Sequence, residues 1–150
     1  MTLQWKSSLS GKETRIFRGK VIAGLLKKGV WKEDGYGELN GYMLKFETKG
    51  FLNRVTTILD IEGKTELGMI EYKTWKSTAV ITFENKTYAW NFDSWMRKKW
   101  QVGNETSVAV FSKTSLWKNE GEIEVENISP AVVLAGLFVY SYFWKIAAAS

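Results

Sequence analysis

The stretch from Asn127 to Ser150, NISPAVVLAGLFVYSYFWKIAAAS, decides how this chain folds. Ser129 and Pro130 make a helix start: the serine hydroxyl caps free N–H groups, and proline at the first helical position gives up no hydrogen bond. From Ala131 to Trp144 nothing is charged and only Ser141 is polar; Lys145 interrupts, and "IAAA" completes the run. A helix over 131–149 is roughly 28 Å long at about 1.5 Å per residue. Its bulky packing residues are Leu134, Leu137, Phe138, Tyr142 and Phe143, and the small Ala131, Ala135 and Gly136 let another backbone approach. Apolar on every side, such a helix has two homes, the centre of a protein or a bilayer. The uncharged run of 14 residues falls on the core-helix side of the length test. With "KIAAA" added it becomes a marginal span whose lysine can snorkel.

The rest of the chain favours the first home. Short runs rich in β-branched and aromatic residues recur at about ten-residue spacing: VTTILDI (55–61), ELGMIEY (66–72), STAVITF (77–83), TYAWNF (87–92), WQV (100–102), TSVAVFS (106–112) and GEIEVEN (121–127). Turn chemistry separates them at 62–65, 84–86, around Gly103 and before Gly121, which is the pattern of an antiparallel meander closed into a barrel or sandwich. About eight strands is the width that inward side chains fill by themselves. A barrel of 10–12 strands needs something in its lumen, and an all-apolar helix of about the barrel's height meets that need. The whole chain, 1–150, then reads as one mainly β domain with a central helix at 129–147.

The first fifty residues are read as strands or mixed elements: TRIFRG (14–19), VIAGLLKKGVWKE (21–33), whose first nine residues suit a short helix, and GELNGYMLKFETK (37–49). "GYG" (35–37) and "NG" (40–41) are expected turns or bulges, and DSWMRKKW (93–100) a helical turn capped by Asp93 or Ser94. In the strand at 120–126, Glu120, Glu122, Glu124 and Glu126 share one face, opposite Gly121, Ile123 and Val125. Alternate residues of a straight strand lie nearly 7 Å apart, too far to share one calcium ion closely, so this face reads as solvated.

Three stretches carry a resemblance to a known superfamily: LDIEGKTELGMIEYKTW (59–75), ITFENKTYAWNF (81–92) and GEIEVENISPAVVLAGLFVYSYFW (121–144). They resemble two hairpins, the final strand and the central helix of the tubby C-terminal-like superfamily, which unites tubby proteins, phospholipid scramblases and LURP-one-related proteins. The resemblance implies about twelve strands closed around a hydrophobic C-terminal helix. It also implies a lipid-binding or membrane-associated role, since tubby proteins bind phosphoinositide headgroups and scramblases are membrane-associated with an acidic calcium-binding segment. Here the matching segment is the alternating-Glu strand, without a compact set of Asp ligands.

Composition excludes much chemistry. There is no Cys and no His, hence no disulfide frame, no thiolate metal site, and none of the Ser-His or Cys-His nucleophile pairs. Asp60, Glu71 and Asp93 are the carboxylates to consider for glycoside chemistry, but no spacing selects a pair. No cofactor and no metal are expected, and the chain reads as non-enzymatic. The opening MTLQWKSSLSGKETRIF lacks a secretory apolar stretch, so a cytoplasmic location is expected. A net charge of +5 suits anionic surfaces. The cluster Trp95, Arg97, Lys98, Lys99 and Trp100, with Lys73 and Lys76 around Trp75, pairs cations with indoles as a membrane interface does. Basic–aromatic interleaving also suits nucleic-acid stacking, but the charge is modest and not concentrated on one stretch. The expected function is binding or scaffolding, with anionic membrane lipid as the partner. The alternatives are a tail-anchored protein with Pro130–Ala149 in the bilayer, and a scramblase-like membrane-associated protein.

Overall fold

The computed structural model describes residues 1–29, 34–50, 53–93 and 95–149. Twelve strands run antiparallel in sequence order: β1 (Thr2–Ser7), β2 (Glu13–Arg18), β3 (Val21–Lys28), β4 (Gly35–Leu39), β5 (Tyr42–Lys49), β6 (Val55–Asp60), β7 (Glu66–Lys73), β8 (Thr78–Phe83), β9 (Lys86–Phe92), β10 (Lys99–Gly103), β11 (Val108–Lys113) and β12 (Glu120–Glu126). β1 pairs with β12, Trp5 opposite Gly121, and this seam closes the barrel. One helix, α1 (Pro130–Ala149), follows.

The helix is threaded through the barrel. Ser129 caps it, its hydroxyl accepting from the Ala131 N–H at 3.2 Å and its carbonyl from Val132 at 3.0 Å. Every residue from Ala131 to Tyr140 is buried, as are Tyr142 and Phe143. Strand side chains meet them in aromatic pairs: Phe46 stacks on Phe138 with centroids 4.6 Å apart, Tyr72 on Tyr142 at 4.0 Å, and Trp100 on Tyr140 at 3.9 Å. The Trp90 indole donates to the Gly136 carbonyl at 3.0 Å inside the lumen, satisfying a buried polar group. By length and composition α1 can cross a membrane, yet most of it is enclosed by its own sheet.

Glycines set how closely helix and wall approach. Gly35 and Gly37 of β4 form no turn. They are strand residues on the inner face: a Cβ at Gly37 would lie 3.1 Å from Leu134 of the helix, and one at Gly35 would lie 2.5 Å from the Lys27 carbonyl of β3 and 3.3 Å from Phe138. On β12, a Cβ at Gly121 would run into the Ser112 carbonyl and the Trp5 indole. A glycine inside a strand at such a close approach is the expected device. The true turns are Asn40–Gly41 (φ 53° and 81°) and Glu84–Asn85 (φ 49° and 64°), left-handed pairs that suit two-residue hairpins.

Three local expectations are corrected. Residues 21–28 are strand β3, not a short helix, because both edges find ladders, to β2 and β4. At 93–100 no helix forms among the described residues. Trp95 and Met96 make a turn, Arg97 sits at φ 58°, and Lys99 opens β10; Ser94, one of the two caps expected there, lies outside the described residues. "GYG" is part of β4. In β12 the alternation is as read: Gly121 and Ile123 face inward, and Glu122, Glu124 and Glu126 are exposed.

Leu137, 2 % exposed at the centre of the lumen, tests the packing. Replacing it by Asp places an unpaired carboxylate where water is excluded, a penalty of several kcal/mol against a total stability of about 5–15 kcal/mol. The Leu137→Asp protein is expected to lose cooperative unfolding in circular dichroism; a cooperative melt near that of the wild type would contradict the packing.

Candidate functional site

The barrel has two unlike ends. At the entry end, where Asn127–Ser129 leads into α1, the connections are 19–20, 40–41, 61–65, 84–85 and 104–107. They hold no aromatic residue, and their charges are nearly balanced: Lys20 and Lys64 against Glu62, Glu84 and Glu105. At the exit end, where the helix emerges, the described connections carry Lys12, Arg54, Lys76, Arg97, Lys98 and Lys118 against Asp34 and Asp93. Large apolar side chains stand out among these cations. Trp75 is 83 % exposed, Trp95 90 % and Trp117 94 %, and Leu9, Met96 and Leu116 are exposed as well. Trp144, near the end of α1, lies among them, half-exposed.

Local geometry holds these groups in place. Thr74–Lys76 is a single 3-10 turn closed by Ser77 in the left-handed region (φ 54°). It lifts Trp75 outward with Lys76 Nζ 4.7 Å from its ring centroid. Arg97 donates to the Ser77 hydroxyl at 2.8 Å and lies 5.0 Å over the Phe92 ring, tying the β9–β10 connection to the β7–β8 connection. A cleft of about 330 Å³ between them is lined by Trp75, Lys76, Trp95 and Arg97.

The residues expected from sequence to bind lipid thus divide. Lys73, Lys76, Trp95, Arg97, Lys98 and Lys99 are all exposed at the exit end. Trp100 is not: its side chain is fully buried, stacked between Phe111 and Tyr140. The period-two alternation of β10 points Trp100 and Val102 into the core, which removes Trp100 from the surface set. Sequence reading missed Leu9, Leu116, Trp117, Lys118, Lys113 and Trp144. A Trp followed directly by Lys occurs at 75–76, 117–118 and 144–145, but also at 5–6 and 31–32, and Trp5 is buried, so the dipeptide alone does not mark the surface set.

The carboxylates weighed for catalysis do not converge. Asp60 lies at the entry end, accepting from the Lys64 and Thr65 N–H groups at 2.8 and 3.1 Å, and these bonds hold it below the usual carboxylate range. Asp93 lies at the exit end and Glu71 on the outer wall of β7. Among the described residues, no group of three or more Asp or Glu side chains is placed to hold a metal ion. Glu124 of β12 accepts from the Thr2 hydroxyl of β1, so its carboxylate already has a partner on the neighbouring strand.

Two groups at the exit end titrate abnormally. Burial pushes the Tyr140 hydroxyl up; it donates to Asn119 Oδ1 at 3.2 Å. Lys113, 4.9 Å over the Trp144 ring, is held below the usual lysine range, first by desolvation and then by Lys98. No family model, curated protein or solved structure matches this chain.

The Lys113 shift has a definite sign in stability. Between its lowered folded value and the unfolded value of 10.5, the unfolded chain holds the extra proton, so stability rises with pH across that window. The wild type is therefore expected to gain Tm relative to Lys113→Met as the pH is raised towards the unfolded value of 10.5. A Tm difference that stays flat across the range would contradict the assignment.

Proposed function

We propose that this protein is a tubby-like barrel acting as a non-enzymatic binding module, which docks its exit end on an anionic membrane surface from the cytoplasmic side. The observation that carries the reading is the segregation itself: exposed indoles and unbalanced cations share one end, and the other end has neither. Indoles partition to the headgroup level of a bilayer, while each lysine or arginine near an anionic leaflet contributes about 1 kcal/mol. Exposed apolar groups ringed by cations are unfavourable in water alone, and a lipid headgroup layer suits both kinds of group.

A tail-anchored arrangement would require α1 to leave the barrel. Trp5, Trp90, Trp100, Phe46 and Phe111, all buried in the lumen, would then lose the surface that covers them. Each fully buried side chain of this kind contributes roughly 1.5–3 kcal/mol or more, so their sum is comparable with the whole stability of a domain, about 5–15 kcal/mol. The enclosed helix favours peripheral docking.

Flotation with phosphatidylcholine vesicles, with and without phosphatidylserine, tests the proposal. Wild-type protein is expected to float with the anionic vesicles and to release them as salt is raised. Lys76→Gln combined with Lys98→Gln is expected to weaken binding by about 2 kcal/mol, roughly 30-fold. Trp95→Ser and Trp117→Ser are expected to weaken it with an unchanged salt response. Equal partitioning to neutral and anionic vesicles at low salt would end the proposal.

A further inference from the structure

A cavity of about 590 Å³ opens at the exit end, between the last turns of α1 and the β9–β10 and β11–β12 connections. Pockets that enclose small ligands run roughly 300–1,000 Å³. Its apolar lining comes from Phe92, Leu116, Tyr140 and Phe143, with Ala147 at its mouth. Three cations, Arg97, Lys98 and Lys113, also line it, and no carboxylate does. Neither Lys98 nor Lys113 forms an ion pair among the described residues.

This combination is selective. An apolar slot alone would take any oil, and a cationic rim alone any anion. Here the two are joined: the cations stand on the β9–β10 turn and the end of β11, beside the aromatic side chains of the slot. Lys113 is partly desolvated next to Lys98, so positive charge is crowded where an anion would relieve it. We propose that this cavity binds one anionic amphiphile, a single hydrocarbon chain bearing a carboxylate or phosphate head, with the chain against Phe92, Tyr140 and Phe143 and the head between Lys98 and Lys113. The proposal rests on the reading of the exit end as the lipid-facing end, and names the molecule that end takes up.

The test uses the full chain without vesicles, titrated calorimetrically with monomeric decyl phosphate and decanoate. Inorganic phosphate and the neutral decyl maltoside are the controls. Both anionic amphiphiles are expected to bind one to one, and each control at least about tenfold more weakly. Lys98→Gln with Lys113→Gln should weaken decyl phosphate by roughly ten- to a hundred-fold, the loss of charge-assisted bonds to its head. Because Ala147 is exposed at the mouth, Ala147→Trp should fold normally and block the slot. It is expected to abolish decyl phosphate binding while flotation on anionic vesicles survives. Decyl phosphate binding no tighter than inorganic phosphate, or intact binding in Ala147→Trp, overturns the cavity proposal even if the wild type floats. Tight decyl phosphate binding by a wild type that ignores anionic vesicles supports the cavity and sinks the membrane reading instead.

Discussion

A closed sheet of twelve strands cannot fill its own interior with side chains, and the structure depends on how that space is filled. Aromatic residues from the wall reach far inward, and an uncharged helix occupies what they leave. The two solve each other's problem. The helix has no polar face to offer water, and the lumen is lined mainly by buried apolar side chains. Where wall and helix come too close for a side chain, as at Gly136 against Phe111, glycine stands in the helix. The Trp90 indole N–H is received by the helix backbone at Gly136, whereas the buried Trp5 and Trp100 indoles have no hydrogen-bond partner among the described residues.

The same enclosure polarises the molecule. The helix enters through a capped turn at Ser129 and its final residues emerge at the other end, with Trp144 and Lys145 exposed. Hairpins alternate between the ends, so the two sets of connections lie in different surroundings. One set is short and polar. The other gathers tryptophan and lysine around the emerging helix, and Arg97 bonds two of its members together through Ser77. Nothing in the packing of the core requires indoles at those tips, where Trp75, Trp95 and Trp117 are exposed.

Much of this was legible in residue order, and the limits have physical causes. Ser129–Pro130 and the uncharged run after it marked the helix and its start. The glutamate alternation marked β12 and its inward face. The β1 strand was missed because Thr2–Ser7 buries only Leu3 and Trp5 and holds its place by pairing with β12 and β2, in the first case across almost the whole chain. Residues 21–28 suited a helix locally, and only the ladders on both sides decide for a strand. Trp95 and Trp100 looked alike beside the same lysines. One sits on a turn, and the other lies in β10, whose two-residue alternation points it inward. The cavity was illegible, since Phe92, Lys113, Leu116 and Tyr140 meet only after the barrel closes around the helix.

The central claim is that the apolar segment is the core of its own sheet. The most direct measurement is thermal unfolding, with small-angle scattering, of a chain ending at Ile128. Without the helix the lumen is left lined by Trp5, Trp90, Trp100, Phe46 and Phe111 with nothing to cover them. The account predicts an expanded chain with no cooperative transition. A truncated chain as compact and as heat-resistant as the intact one would contradict it.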